Sequence, residues 1–430
     1  MHRALLLPLL CLGCLVRPAV GQEMTGFDRQ RDRLILRAVE HDLRQYYHDT
    51  TFHGLDLATL FDSADARIAL ARSNSEAFLN IAVTLSTLRD SHTFFIPPGR
   101  TADVEYGWNL GIVGDSCYLF KVDPKSDAAA QGVKPGDQVI AVDRFAANRG
   151  DRWNLEYVYY ALAPRSAVRL TLRSPGGTVR SVVVQAKVTP HPPIMDLSHG
   201  DDFWQIVREG QNVEHAHRSR FAEVGSDVLV WKLPNFTAGD REIDQSVRRA
   251  QGFKALVIDL RDDPGGLEST LLRLAGDLVG ADTFGVRRER AKTEPLRTRT
   301  GGPQFTGTVV AVVDAQSASS AELLAYLLQM RKRGTVVGDR TAGAVMEARG
   351  HVHTVGIDIV VFYYTSVTAA DLVFADGTRL EGRGVVPDEI VLPSGADLAG
   401  RRDPALARAI TLAGRAVTPE AAGLLFPLEE

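Results

Sequence analysis

The feature that most constrains this chain is a set of three uninterrupted apolar runs, Val228 to Leu233, Ala255 to Leu260 and Val309 to Val313. A strand that is apolar on both faces has to be covered on both faces, and parallel strands need long, usually helical, crossovers. Leu267 to Leu278 and Ala321 to Met330 carry apolar residues at spacings of three and four, which predicts the covering helices. The stretch from about Ser226 to Val391 therefore reads as an α/β layer. Its 430 residues leave room for further domains, at roughly 150 residues each. Apolar residues at 45% and charged residues at 24% are ordinary globular usage, which excludes a disordered or multi-spanning chain. The net charge of −4 provides no basic surplus to displace counter-ions, which speaks against a nucleic-acid partner.

At the amino terminus a charged start, Met1-His2-Arg3, precedes an apolar stretch from Ala4 to Val16 and the small residues Ala19-Val20-Gly21. This pattern predicts an export signal over 1–21, because 13 residues fall short of the about 20 that span a bilayer. The expected location is periplasmic or extracellular. Leu12-Gly13-Cys14 resembles a bacterial lipoprotein box, with Cys11 where an aliphatic residue belongs, so membrane association through Cys14 is the minor alternative. Cleavage after Gly21 leaves Cys117 alone, in a strand-like run that suits a buried structural thiol.

From Asp28 to Arg89 the apolar spacing is helical, and Pro97-Pro98-Gly99 closes that region. Between Val104 and Val188, short strand-like runs alternate with Gly and Pro, interrupted by one helical stretch, Leu155 to Leu162. Within it, Ser126 to Asp143 resembles a PDZ domain in nearly every position: a small alanine helix, a Pro135-Gly136 turn, and a strand at Val139, Ile140 and Val142. The resemblance implies that a peptide tail adds as an extra strand, with its carboxylate in a nest of amides at Trp108, Asn109, Leu110 and Gly111. A helix with a start signal at Asp403-Pro404 lies near the carboxyl end.

Three separated segments carry chemistry-bearing residues. Ser317-Ala318-Ser319-Ser320-Ala321-Glu322 follows a buried strand and opens a helix, which suits either a helix cap or an exposed nucleophile. Asp259-Leu260-Arg261-Asp262-Asp263-Pro264-Gly265-Gly266 ends another strand in a glycine pair, which suits a tight turn or an oxyanion site. Glu381 to Asp388 offers a glutamate that is either a solvated charge or an orienting group.

Taken together and in this order after a PDZ-like segment, these residues resemble the carboxyl-terminal processing or tail-specific serine proteases, over about Leu34 to Ile410. The resemblance implies a ClpP/crotonase-like α/β catalytic core with an inserted PDZ domain and an N-terminal helical region. The implied division is 1–21 signal peptide, 22–100 helical region, 101–190 PDZ domain, 191–398 protease core and 399–430 helical tail. It also implies Ser319 as nucleophile, with oxyanion amides from the Gly265-Gly266 pair and Ser320. No cofactor is implied. The implied partners are polypeptides with exposed carboxyl-terminal tails, and a homo-oligomer is compatible with the family.

One position departs from the family pattern. The processing proteases mostly activate serine with a lysine, and Ala344 stands at the matching place, 25 residues beyond Ser319. Lys332 and Arg340 are close in sequence but belong to a helix end and a strand-to-loop segment. A tricorn-like branch of the superfamily uses a histidine preceded by a serine, with a distant glutamate. Leu88-Arg89-Asp90-Ser91-His92-Thr93 matches it, which implies His92 as base with Ser91 and Glu381 orienting it; a structural histidine is the competing reading. The expected activity is that of an exported serine endopeptidase acting on unfolded or tagged proteins. The alternatives are a peptide-binding scaffold inactivated by Ala344 and, more remotely, a small-acyl esterase. His351 and His353, at i and i+2, suit a polar strand face better than a metal site, and His215 and His217 suit a solvated loop.

Overall fold

The computed structural model describes residues 24–99, 102–150, 155–190, 218–356 and 361–426. The leader sequence, the His191-Pro192-Pro193 connector and the His215/His217 loop lie outside them.

The three apolar runs form the centre of a six-stranded sheet, in the order 220–224, 228–232, 255–259, 308–313, 334–338, 389–390. The first pair is antiparallel and the others are parallel. Alternation along each strand splits the apolar residues into two layers. Leu229, Trp231, Leu256, Ile258, Val309, Ala311 and Val313 pack with helices Asp240–Ala250, Glu268–Val279 and Ser320–Met330. Val228, Val230, Ala255, Val257, Val310 and Val312 face helix Pro404–Leu412 instead. Each fully buried Val, Leu or Ile side chain among them contributes about 1.5–3 kcal/mol, which is why an unbroken apolar run is stable only as a sandwiched strand. The expected α/β layer is present. Asp403 caps the last of these helices through Leu406 N–H (2.9 Å) and pairs with Arg261.

A second sheet joins strands 94–96, 283–289, 293–297, 346–355 and 361–374. Its strand Phe94–Ile96 pairs with Tyr364 to Ser366, and helices Gly26–Tyr46, Leu57–Ala69 and Asn74–Ser86 share a core with Tyr363 and Val367. The amino-terminal helices are thereby seated on this second sheet, and the Ser91-His92 turn is held at its border.

Residues 108–185 form an antiparallel sheet ordered 108–113, 116–122, 138–142, 167–173, 179–185. The chain enters and leaves it through a two-stranded ribbon, Ala102–Glu105 against Lys187–Pro190, as an insertion requires. Leu155 to Leu162 is helical as the spacing predicts, but wound more widely: Ala163 N–H bonds to Val158 O. Cys117 is a buried thiol in this unit. No helix among the described residues is long and apolar enough to cross a membrane.

Candidate active site

In a parallel sheet, ligand sites gather beyond the carboxyl ends of the strands. Here three such ends supply loops: Arg261 to Gly266, Asp314 to Ser319, and Asp339 to Ala344. Ser319 sits at the second, immediately before helix Ser320–Met330, with φ 54° and ψ −117°. A capping serine normally keeps extended backbone angles. Ser319 does not, and a positive φ on a residue with a side chain costs about 1–3 kcal/mol, so the surroundings must hold it.

They do so with named bonds. Ser319 N–H donates to Ala344 O (2.9 Å) and to Glu322 Oε2 (3.1 Å). Glu322, fully buried, also accepts from Ala344 N (2.9 Å), Gly343 N (2.8 Å) and the Thr341 hydroxyl. Burial pushes its pKa up to about 7 against the pull of these four donors. Ser317, by contrast, is structural: its hydroxyl bonds to Leu260 O (2.8 Å) and accepts from Asp314 N (2.9 Å).

The glycine pair lies directly against the serine. A Cβ on Gly265 (φ 91°) would fall 2.6 Å from Ser319 Cβ and 2.9 Å from Ser320 N. The Gly265 amide, however, donates to Asp263 Oδ1 (2.7 Å). This narrows the expected oxyanion set to the amides of Gly266 and Ser320.

The third segment closes the arrangement. Glu381 Oε2 accepts from Val345 N (2.7 Å) and from Ser91 Oγ (3.0 Å), and Oε1 accepts from Ser91 N (2.7 Å). Ser91 Oγ in turn lies 2.7 Å from His92 Nδ1. An unbroken path thus runs from Ser319 through Ala344 and Val345 to Glu381, Ser91 and His92. Glu381 is acceptor-only when ionised, so Ser91 Oγ must donate to it and accept from His92 Nδ1–H. The Nε2 lone pair is then left free, the tautomer a base needs. Burial raises the Glu381 pKa, and three donors oppose it. Burial lowers the His92 pKa to about 4, opposed by Asp90, so the ring is neutral at physiological pH. Among the described residues no hydrogen bond joins His92 to Ser319.

The histidine turn is held by Asp90 together with groups outside the sequence motifs. Asp90 Oδ1 accepts from His92 N (3.0 Å), Thr93 N (2.7 Å) and Thr368 Oγ1 (2.7 Å), while Oδ2 accepts from Tyr47 OH (2.8 Å). The only local signal was an aspartate two residues before the histidine, the spacing of a side-chain-capped turn. Tyr47 and Thr368 are far away in sequence and carried no signal.

Other expectations land as follows. Trp108, Asn109, Leu110 and Gly111 lie in the extended strand Trp108–Val113 at one edge of its sheet, so they offer an edge rather than a ring of amides in a turn. The positive-φ turn residue is Gly107, just before them. His351 stacks on Tyr46 at 4.3 Å, and His353 pairs with buried Asp42 at 2.6 Å. No metal-holding group of three or more such side chains occurs among the described residues. Arg340 is a surface residue near Asp115 (3.8 Å), and Lys332 is exposed just past the end of helix Ser320–Met330, its N–H donating to Gln329 O (2.9 Å).

Residues 227–391 match Peptidase family S41. The carboxyl-terminal-processing protease of Picosynechococcus sp. is 24% identical over 343 residues, covering 74% of this chain and 74% of its own length. The chloroplastic C-terminal processing peptidase of Tetradesmus obliquus is 25% identical over 365 residues, 80% of this chain and 73% of that protein. Among solved structures, mature CPAF superposes with a TM-score of 0.63 at 16% identity, covering 91% of this chain and 99% of the other. The photosystem II D1 C-terminal processing protease gives 0.53 at 18%, with 92% and 99% covered. At such identities the structural likeness speaks for the fold alone. With the sequence matches, the class is defined: the chain is a serine peptidase. More particularly, residues 227–391 are similar to Peptidase family S41, and the proteins the chain resembles include carboxyl-terminal-processing and tail-specific proteases.

Proposed function

We propose that this protein is an exported endopeptidase that cleaves unfolded or carboxyl-terminally tagged polypeptides with Ser319 as nucleophile and His92 as base. The observation that carries the assignment is the hydrogen-bonded path from Ser319 N through the Ala344-Val345 segment to Glu381, Ser91 and His92. His92 Nε2 takes the Ser319 hydroxyl proton as Oγ attacks the scissile carbonyl carbon. The oxyanion forms against the Gly266 and Ser320 amides. His92 then delivers the proton to the leaving amine, and water, deprotonated by the same ring, hydrolyses the acyl-enzyme. Ala344 lies where its backbone serves the nucleophile turn while its methyl group cannot act as a base, which favours the histidine.

The inserted antiparallel sheet is read as a PDZ domain set into a ClpP/crotonase-like core. The outer edge of its strand Trp108–Val113 is unpaired among the described residues, as a module that takes a tail by strand addition requires. The leader over 1–21 supports export, and assembly of several copies is compatible with the reading.

A fluorophosphonate probe tests the assignment. The mature protein should be labelled and should hydrolyse denatured protein, Ser319→Ala should abolish both, and His92→Ala should slow labelling by at least about 10³-fold. Labelling that persists in His92→Ala refutes the histidine base. A folded wild-type protein that is inert to probe and substrate, yet binds tailed peptides, is instead the scaffold that Ala344 suggests.

A further inference from the structure

Asp263 is fully buried, and its two oxygens are treated differently: Oδ1 accepts the Gly265 amide at 2.7 Å, and Oδ2 has no hydrogen-bond partner among the described residues. Its own carbonyl accepts from Ala318 N at 2.9 Å, so one residue grips both the glycine turn and the turn that presents Ser319. The Gly265 carbonyl in turn accepts from Phe236 N–H (2.8 Å), and Leu267 N–H donates to Phe236 O (2.7 Å). With the amide and carbonyl of Gly265 both fixed, the direction of the next amide, Gly266 N–H, is set by Asp263 on one side and Phe236 on the other.

We propose that Asp263 is a positioning residue for the oxyanion site and that it acts as a neutral hydrogen-bond acceptor rather than as a charge. A buried carboxylate with one amide for a partner and an empty second oxygen is expensive to keep ionised. The nearby charges divide: Lys232 favours ionisation, whereas Asp262 and Asp314 oppose it. Burial, the largest influence, holds the carboxyl well above the usual carboxylate range. The role is to stop the 265–266 peptide from rotating, so that the Gly266 donor is already aimed when negative charge develops. The proposal rests on the serine peptidase reading with Ser319 at its centre, and it is tested separately from that reading.

The variants are Asp263→Asn, which keeps a neutral acceptor of the same shape, and Asp263→Ala, which removes it. Turnover of a fluorogenic peptide, fluorophosphonate labelling rate and binding of a peptide boronate are read on full-length mature protein. Asp263→Asn should keep kcat within about threefold of wild type. Asp263→Ala should lower kcat by about 10²-fold with KM little changed, and weaken boronate binding by a similar factor, as loss of one oxyanion donor does. If Asp263→Ala does not fold, Asp263→Leu, which fills the space without accepting, takes its place with the same expectation. A folded Asp263→Asn that is as impaired as the truncation shows that the charge is needed and overturns the proposal. A truncated variant with wild-type kcat overturns it as well. Failure of Ser319 to be labelled in wild type would instead strike the underlying peptidase reading.

Discussion

At the scale of single residues, the decisive group is Glu381, which sees only donors: two backbone amides and the Ser91 hydroxyl. Replacing it with glutamine is nearly isosteric, yet the new amide can donate to Ser91 Oγ. That turns Ser91 into a donor toward His92 Nδ1 and places the proton on Nε2, the nitrogen that accepts in the proposed mechanism. Glu381→Gln should therefore lower kcat by about 10²–10⁴-fold while the melting temperature changes by a few degrees, in line with a wrong-tautomer histidine. Labelling at the wild-type rate would show that the relay does not govern His92. The residue types at this site were legible in the sequence, since Ser91, His92, Ser319 and Glu381 all stand in quoted motifs. Their mutual bonds were not, because they depend on segments 290 residues apart in sequence. The Tyr47 bond to Asp90, 43 residues away, is hidden from the sequence for the same reason.

At the scale of elements, the strand-to-loop turns place the chemistry, and backbone shape decides whether they can. Gly265 has both a positive φ and no room: its missing Cβ would meet Ser319 Cβ at 2.6 Å and Ala318 O at 2.9 Å. Gly377 has a similar φ of 86° but nothing within 4 Å. Gly265→Ala should thus displace the nucleophile turn, lowering the labelling rate by at least about 10²-fold and stability by about 1–3 kcal/mol. Gly377→Ala should cost about 1–2 kcal/mol and leave labelling unchanged. Probe kinetics and urea melts on the two variants separate close packing from conformation, and an equal effect on labelling would contradict the proposed contact. Strand and helix positions were legible in the sequence because burial imposes alternation on a strand and spacing on a helix. The wide turn around Val158 was not, since it leaves no periodic mark.

At the scale of the molecule, two groups of the site, buried Glu322 and half-buried His92, give folding stability opposite dependences on pH. Glu322 has its pKa raised from 4.5 to about 7. Its contribution is fully present below the unfolded value and is lost as pH rises through the folded one. His92 has its pKa lowered from 6.5 to about 4. Between those values the unfolded ring binds a proton that the folded ring does not, so its contribution rises with pH and is lost as pH falls toward the lower value. Each slope is about 1.4 kcal/mol per pH unit, and between the unfolded Glu322 and His92 values they nearly cancel. Relative to wild type, Glu322→Gln should then gain stability with rising pH across that window, and His92→Ala should lose it. Chemical denaturation at several pH values reads both differences, and variant curves parallel to wild type would refute the assignment of these two titrations.

The sequence by itself determined the elements and the chemistry they carry: sandwiched strands, amphipathic helices, a serine at a strand-to-helix turn, and a histidine offered in place of an absent lysine. Those follow from periodicity and residue type, which are local. Only the tertiary structure decided that the Gly265 amide is held by Asp263, that Glu381 joins Ser91 to the segment after Ala344, and that Tyr47 and Thr368 anchor the histidine turn. Each of these is a hydrogen bond between segments distant in the chain, and such a bond is fixed by how the two sheets and the amino-terminal helices pack together.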